Sequence, residues 1–166
     1  MFRTIDDFNY VWSQEFESTQ KILKHITDKS LSQAVEPGGR TLGMLAWHII
    51  ITIPEMMTRT GLTLTMPADQ ETPPGRARDL FDMYNKLAEE LLVAVKTHWT
   101  DASLQIEDDM YGEKWKRGKT LDALVFHQVH HRAQMTVLMR QAGLRVPGMY
   151  GPSREQWAAM GMKAPA

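Results

Sequence analysis

His127 and His131 lie four residues apart in the segment Phe126-His127-Gln128-Val129-His130-His131-Arg132. In a helix, side chains at i and i+4 share one face with about 5–6 Å between Cβ atoms, close enough for two imidazoles to bind one metal ion. A third candidate, His48, lies in the apolar stretch Leu42-Gly43-Met44-Leu45-Ala46-Trp47-His48-Ile49-Ile50-Ile51. The chain has no cysteine, which excludes thiolate ligands, disulfides and a cysteine nucleophile. Three imidazoles alone would leave coordination positions open, as catalytic metal sites do.

A helical wheel discriminates among the clustered histidines, because each residue advances by about 100°. His127 and His131 fall together on the flank of the apolar face set by Leu121, Leu124, Val125, Met135 and Met139, whereas His130 points away from it. The spacing also fits a plain hydrogen-bonded histidine pair at a bundle edge. His48 favours metal, since an imidazole buried among apolar residues needs a partner, either an ion or a backbone carbonyl. His25 and His98 sit near helix C-termini, where capping is the simpler role.

Four stretches with helical periodicity must position these side chains. The first runs from about Thr4, an N-cap followed by Asp6 and Asp7, to Ile26, with Ile5, Phe8, Val11, Trp12, Phe16, Thr19 and Ile22 recurring every three or four residues. The second opens at Thr41 and closes near Thr60-Gly61, with a kink expected near Ile50 because Pro54 interrupts it. It is apolar nearly all round. Trp47 and Ile50, away from the His48 side, therefore suggest cover by a second copy and a homodimer. The third follows Pro73-Pro74 and reaches Trp99; the fourth runs from Thr120 to Gln141-Ala142-Gly143. The segment from Leu104 to Lys119 reads as non-helical, with a short hairpin turning at Tyr111-Gly112 and an acidic arm facing a basic one. After Pro147 comes loop, then a short helix capped by Ser153. The expected architecture is all-α: a four-helix bundle with a hairpin or loop insertion between helices three and four and a short C-terminal helix.

Composition narrows the class. At 166 residues, 43% hydrophobic and 23% charged, the chain fits a single globular domain spanning 1–166. The net charge of −1 offers no field to gather nucleic acid or an anionic membrane. The basic run Lys114-x-Lys116-Arg117-x-Lys119 has an acidic counterpart just upstream, so a solvated loop is expected rather than a nucleic-acid patch. The opening seven residues lack a basic start followed by an apolar run, and no apolar stretch reaches the ~20 residues of a membrane span. A cytoplasmic protein is expected. The 12 methionines read as adaptable core filling rather than ligands.

The block Thr41-Leu42-Gly43-Met44-Leu45-Ala46-Trp47-His48-Ile49, followed far downstream by His127-x-x-x-His131-Arg132-x-Gln134, resembles the DinB-like (damage-inducible) family over roughly Phe8 to Gly143. The resemblance implies a four-helix bundle, often a homodimer, with a divalent metal held by one histidine of helix two and two of helix four. Carried onto this chain, the ligands are His48, His127 and His131. Relatives include enzymes that use a low-molecular-weight thiol as cosubstrate, so the implied function is a metal-dependent transferase or hydrolase acting on a small organic substrate. The competing reading is a non-catalytic metal-binding bundle dimer with a stress-related role.

Three neutral imidazoles suit zinc or nickel first, with iron, cobalt and manganese behind them. Such an ion would activate bound water or ionise an incoming thiol. Thr52 and Glu55, one and two turns beyond His48, are candidates to reach the site, against a Glu55 that is simply solvated at the bundle mouth. Gln128 is a candidate partner for a ligand, and Arg132 falls on the core side, where a charge needs a reason.

Overall fold

The computed structural model describes residues 2–165. Met1 and Ala166, the outermost positions of the expected domain and the first of the opening segment, lie outside the described residues. Among the described residues, four long helices carry the fold: α1 (Ile5–Leu23), α2 (Leu42–Thr58), α3 (Ala77–His98) and α4 (Arg117–Gln141). A short hairpin, β1 (Glu107–Met110) and β2 (Glu113–Lys116), sits between α3 and α4, and a short α5 (Arg154–Ala159) follows them. The expected four-helix bundle is present, and no described helix is long and apolar enough to cross a membrane.

The helix starts follow their capping chemistry. The Thr4 side chain accepts from the Asp7 N–H while the Asp7 carboxylate accepts from the Thr4 N–H, a reciprocal cap that satisfies donors the first turn leaves unpaired. Thr41 opens α2 by accepting from the Met44 N–H. At the other end of α1, Nδ1 of His25 lies 2.7 Å from the Lys21 carbonyl, the capping role expected for it. Helix α4 starts three residues earlier than its periodicity indicates. The Arg117 N–H donates to the Ile106 carbonyl and its guanidinium pairs with Asp108, so the hairpin base supplies the helix start. Two 3-10 turns, Asp28–Ser32 and Asp101–Gln105, were not legible from periodicity, which a five-residue element is too short to display.

The hairpin turns at Tyr111 (φ 61°) and Gly112 (φ 87°), the two positive dihedrals that a tight two-residue connection requires. Glu107 stands opposite Lys116 and Asp109 opposite Lys114, so the acidic arm does face the basic one. Lys114, Lys116, Arg117 and Lys119 lie against Asp109, Gln105, Asp108 and Glu113 respectively, which leaves no free basic strip there.

Helix α1 packs on α3 and α4, and α2 packs on the same two, most extensively on α4. α1 thus lies across the bundle from α2, and α3 from α4, and the α2–α4 seam is where His48 can meet the histidines of α4. Phe8, Trp12, Ile49, Ile50, Ile53, Tyr84, Leu91 and Leu124 are fully buried, each large apolar side chain contributing about 1.5–3 kcal/mol. Pro54 does not divide α2, which stays helical to Thr58. Gly43 lets the first 3-10 turn approach: a Cβ there would meet the Leu31 carbonyl oxygen at 3.2 Å. Trp47 and Ile50 are buried within one chain, Trp47 donating to the Gln70 carbonyl at 3.1 Å. Trp47 and Ile50 are therefore covered by their own chain and do not themselves call for a second copy, while Met44 of the same helix stays exposed.

Candidate metal centre

His48, His127 and His131 converge on the α2–α4 seam, each offering one ring nitrogen, with those nitrogens all within 4.8 Å of one another. Nε2 of His127 is 3.0 Å from Nε2 of His48. The ring centroids are 4.8 Å apart for His48 and His127, 4.6 Å for His48 and His131, and 4.4 Å for His127 and His131. Metal–nitrogen bonds of about 2.0–2.1 Å place two nitrogens about 3.3 Å apart around a tetrahedral ion and about 2.9 Å around an octahedral one. The closest pair already meets that requirement. The third ring offers a nitrogen within 4.8 Å of both.

The orientations are set from outside the cluster. Nδ1 of His131 lies 2.7 Å from Oε1 of Gln134, so that nitrogen donates its proton and leaves Nε2 as the lone-pair side. The Gln134 amide in turn lies 3.3 Å from Nε2 of His130, which is itself exposed as the wheel requires. On α2, the Thr52 hydroxyl donates to the His48 carbonyl at 2.6 Å. Nδ1 of His127 is buried without a hydrogen-bonding partner among the described residues.

The electrostatics keep the rings neutral. Burial, then the neighbouring His131 and His48, hold His127 down to about 4. Burial and His131 also lower His48, and burial lowers His131 against the opposing bond to Gln134. Neutral imidazoles at neutral pH present lone pairs, which is the state a divalent cation needs. The donor set, its spacing and its protonation all fit such an ion.

The other residues singled out by sequence fall elsewhere. Glu55 is held away by Tyr111, whose hydroxyl donates to it at 2.7 Å, and by Arg59 at 3.0 Å. Thr52 bonds the backbone rather than a ring. Gln128 is fully buried but donates to the Ile49 carbonyl at 2.7 Å, so it supports α2 instead of a ligand. Arg132 has its reason on the far side of α4: it pairs with the Glu15 carboxylate, donates to Thr19 Oγ1 at 2.9 Å and meets the Tyr150 hydroxyl. Tyr150 also donates to Glu15 at 2.7 Å, which fastens the C-terminal segment to α1. Glu15 was legible in principle, lying three residues after Trp12 and four before Thr19 on the buried stripe. Tyr150 was not, since nothing local marks a distant tail residue. Gln134 belongs to the motif that carries the resemblance, but its role emerges only from the His131 contact.

Comparison with known proteins agrees with this architecture. A family model described as DinB family matches residues 1–164. The Bacillus subtilis (strain 168) protein YrdA, described as uncharacterized, is 44% identical over 165 residues, covering 99% of both chains. A crystal structure of a DinB-like protein from Bacillus cereus ATCC 10987 superposes with a TM-score of 0.88 at 44% identity, covering 90% of this chain and 100% of that one. YfiT from Bacillus subtilis, described as a probable metal-dependent hydrolase with an unusual four-helix bundle topology, superposes with a TM-score of 0.64 at 18% identity, covering 84% of this chain and 87% of its own. At that identity the likeness to YfiT is one of fold.

Proposed function

The chain belongs to the DinB family, and from that footing we propose that it is a divalent-metal-dependent enzyme acting on a small organic substrate, with His48, His127 and His131 as the ligands. The observation that carries this reading is the meeting of the three imidazoles from two helices, neutral and within 4.8 Å, beside surface cavities. Zinc and nickel suit the donor set best. A cation held there supplies a Lewis acid that lowers the pKa of bound water toward ~7 or ionises an incoming thiol.

The chain's own residues prepare the site. Gln134 fixes the tautomer of His131, and the apolar surround keeps His127 and His48 unprotonated. Glu55 is hydrogen-bonded to Tyr111 and Arg59 rather than to a ligand histidine. Hydrolysis is the first reaction to test, since the fold neighbour YfiT is described as a probable metal-dependent hydrolase. Thiol transfer is the second: with no cysteine in the chain, the thiol would arrive as cosubstrate.

The test is to strip the protein, reload it separately with zinc, nickel, iron, cobalt or manganese, and assay ester and amide hydrolysis and thiol consumption. The reading expects turnover with at least one metal and none in His127→Ala, which should remain folded. Turnover that survives both stripping and this substitution would contradict it.

A further inference from the structure

We propose that Arg40 is the substrate-orienting cation of this site, selecting small molecules that carry an oxyanion, carboxylate or phosphate, at one end of an apolar body. This deepens the metal-site reading and rests on it for the identity of the reacting centre. Arg40 lies in the loop immediately before Thr41, the residue that caps α2, and lines two cavities at once. One, of about 320 Å³, has apolar walls from Val35, Leu45, Val137 and Leu138, with Gln134 on its rim. The other, of about 200 Å³, is bounded by His48 and Trp47. Arg40 therefore stands between the cavity reached through the residue that orients His131 and the cavity that touches His48.

Arg40 is exposed, and an exposed arginine is ordinarily just solvated. Its company argues against that here. Arg59, Arg76, Arg78, Arg117, Arg132 and Arg140 each pair with a carboxylate, and among the other exposed arginines it is Arg40 that lines the two cavities beside the histidines. Arg40 is in none of the ion pairs found among the described residues, although Glu36 lines the larger cavity and Glu71 the smaller. The Glu36 side chain is instead folded against Gly39, where an added Cβ would meet its Cγ at 3.2 Å. The guanidinium is left to a ligand, and its planar fork matches a carboxylate or phosphate in two parallel hydrogen bonds. A cavity of 320 Å³ is at the lower end of ligand sites, which sets the size of the apolar body.

The experiment uses hexanoate, hexyl phosphate and 1-hexanol as probes in chemical-shift titrations of the full chain, with and without chelator, for the parent protein, Arg40→Gln and Arg40→Lys. In the metal-free state Arg40→Gln should weaken an anionic probe about tenfold and leave hexanol unchanged, with Arg40→Lys intermediate. Whether hexanoate or hexyl phosphate shows the larger loss identifies the oxyanion. Equal affinities for the parent and Arg40→Gln, or no preference of the parent for an anion over hexanol, would overturn the proposal. Binding that responds to metal and to His127→Ala but not to Arg40→Gln would also overturn it. Metal content measured on the same samples reports on the metal reading separately.

Discussion

Nε2 of His127 and Nε2 of His48 stand 3.0 Å apart although 79 residues separate them in the chain. Two neutral imidazoles can hold that approach only if one carries its proton on the shared side, and His131 then closes a third side with its free nitrogen. A cation satisfies all three lone pairs together. The bundle brings this about by placing α2 against α4, its most extensive helix pairing.

Gln134 is exposed, yet its side chain decides which nitrogen of His131 faces the cluster. Gln134→Ala should lower metal affinity about 10- to 100-fold, the usual loss when a ligand's outer partner is removed, without altering thermal unfolding. Competition with a chromophoric chelator measures it. An unchanged affinity would mean that His131 is oriented by packing alone.

The pH dependence has a definite sign. Unfolded histidines protonate near 6.5, whereas burial and the neighbouring histidines hold folded His127 at about 4. Between those values the unfolded chain binds more protons, so the stability of the chelator-treated protein should fall as pH drops through that window and stay level just above it. His48 and His131 are lowered in the same direction and steepen the slope. Urea unfolding of the parent and His127→Gln at several pH values checks this, with the variant expected to show the shallower slope. Parallel profiles would contradict the assigned cause.

Arg132 and Glu15 form a buried ion pair fixing α4 to α1, with Thr19 and Tyr150 completing its hydrogen bonds. Glu15→Gln strands the guanidinium and should cost about 3–5 kcal/mol in denaturant unfolding. The double variant Glu15→Gln, Arg132→Met removes the stranded charge and should recover part of that loss. Tyr150→Phe should cost less, about 1 kcal/mol. A double variant no better than Glu15→Gln alone would show that the pair is not the source of the loss.

Legibility in the sequence tracked the range of the physics involved. Thr4, Thr41 and the period of α1 and α3 are local, and those elements appear within a few residues of their expected bounds. The α4 wheel separated His127 and His131 from exposed His130 because a single helix fixes that relation. Tertiary partners were another matter. Gln128 turned to the Ile49 carbonyl, Glu55 to the hairpin tip and Trp47 to the chain's own loop, choices made by elements distant in sequence. Arg40 drew no notice because an arginine in a polar loop has no periodicity to betray it.

The most direct measurement is the divalent-ion content of tag-free protein by elemental analysis, compared with His48→Ala, His127→Ala and His131→Ala variants whose folding is verified by circular dichroism. The account predicts about one ion per parent chain, from the single three-imidazole cluster, and substoichiometric content in each variant. A parent chain that copurifies with no divalent ion and takes none up on reloading, or variants that retain it in full, would contradict the assignment of these three histidines.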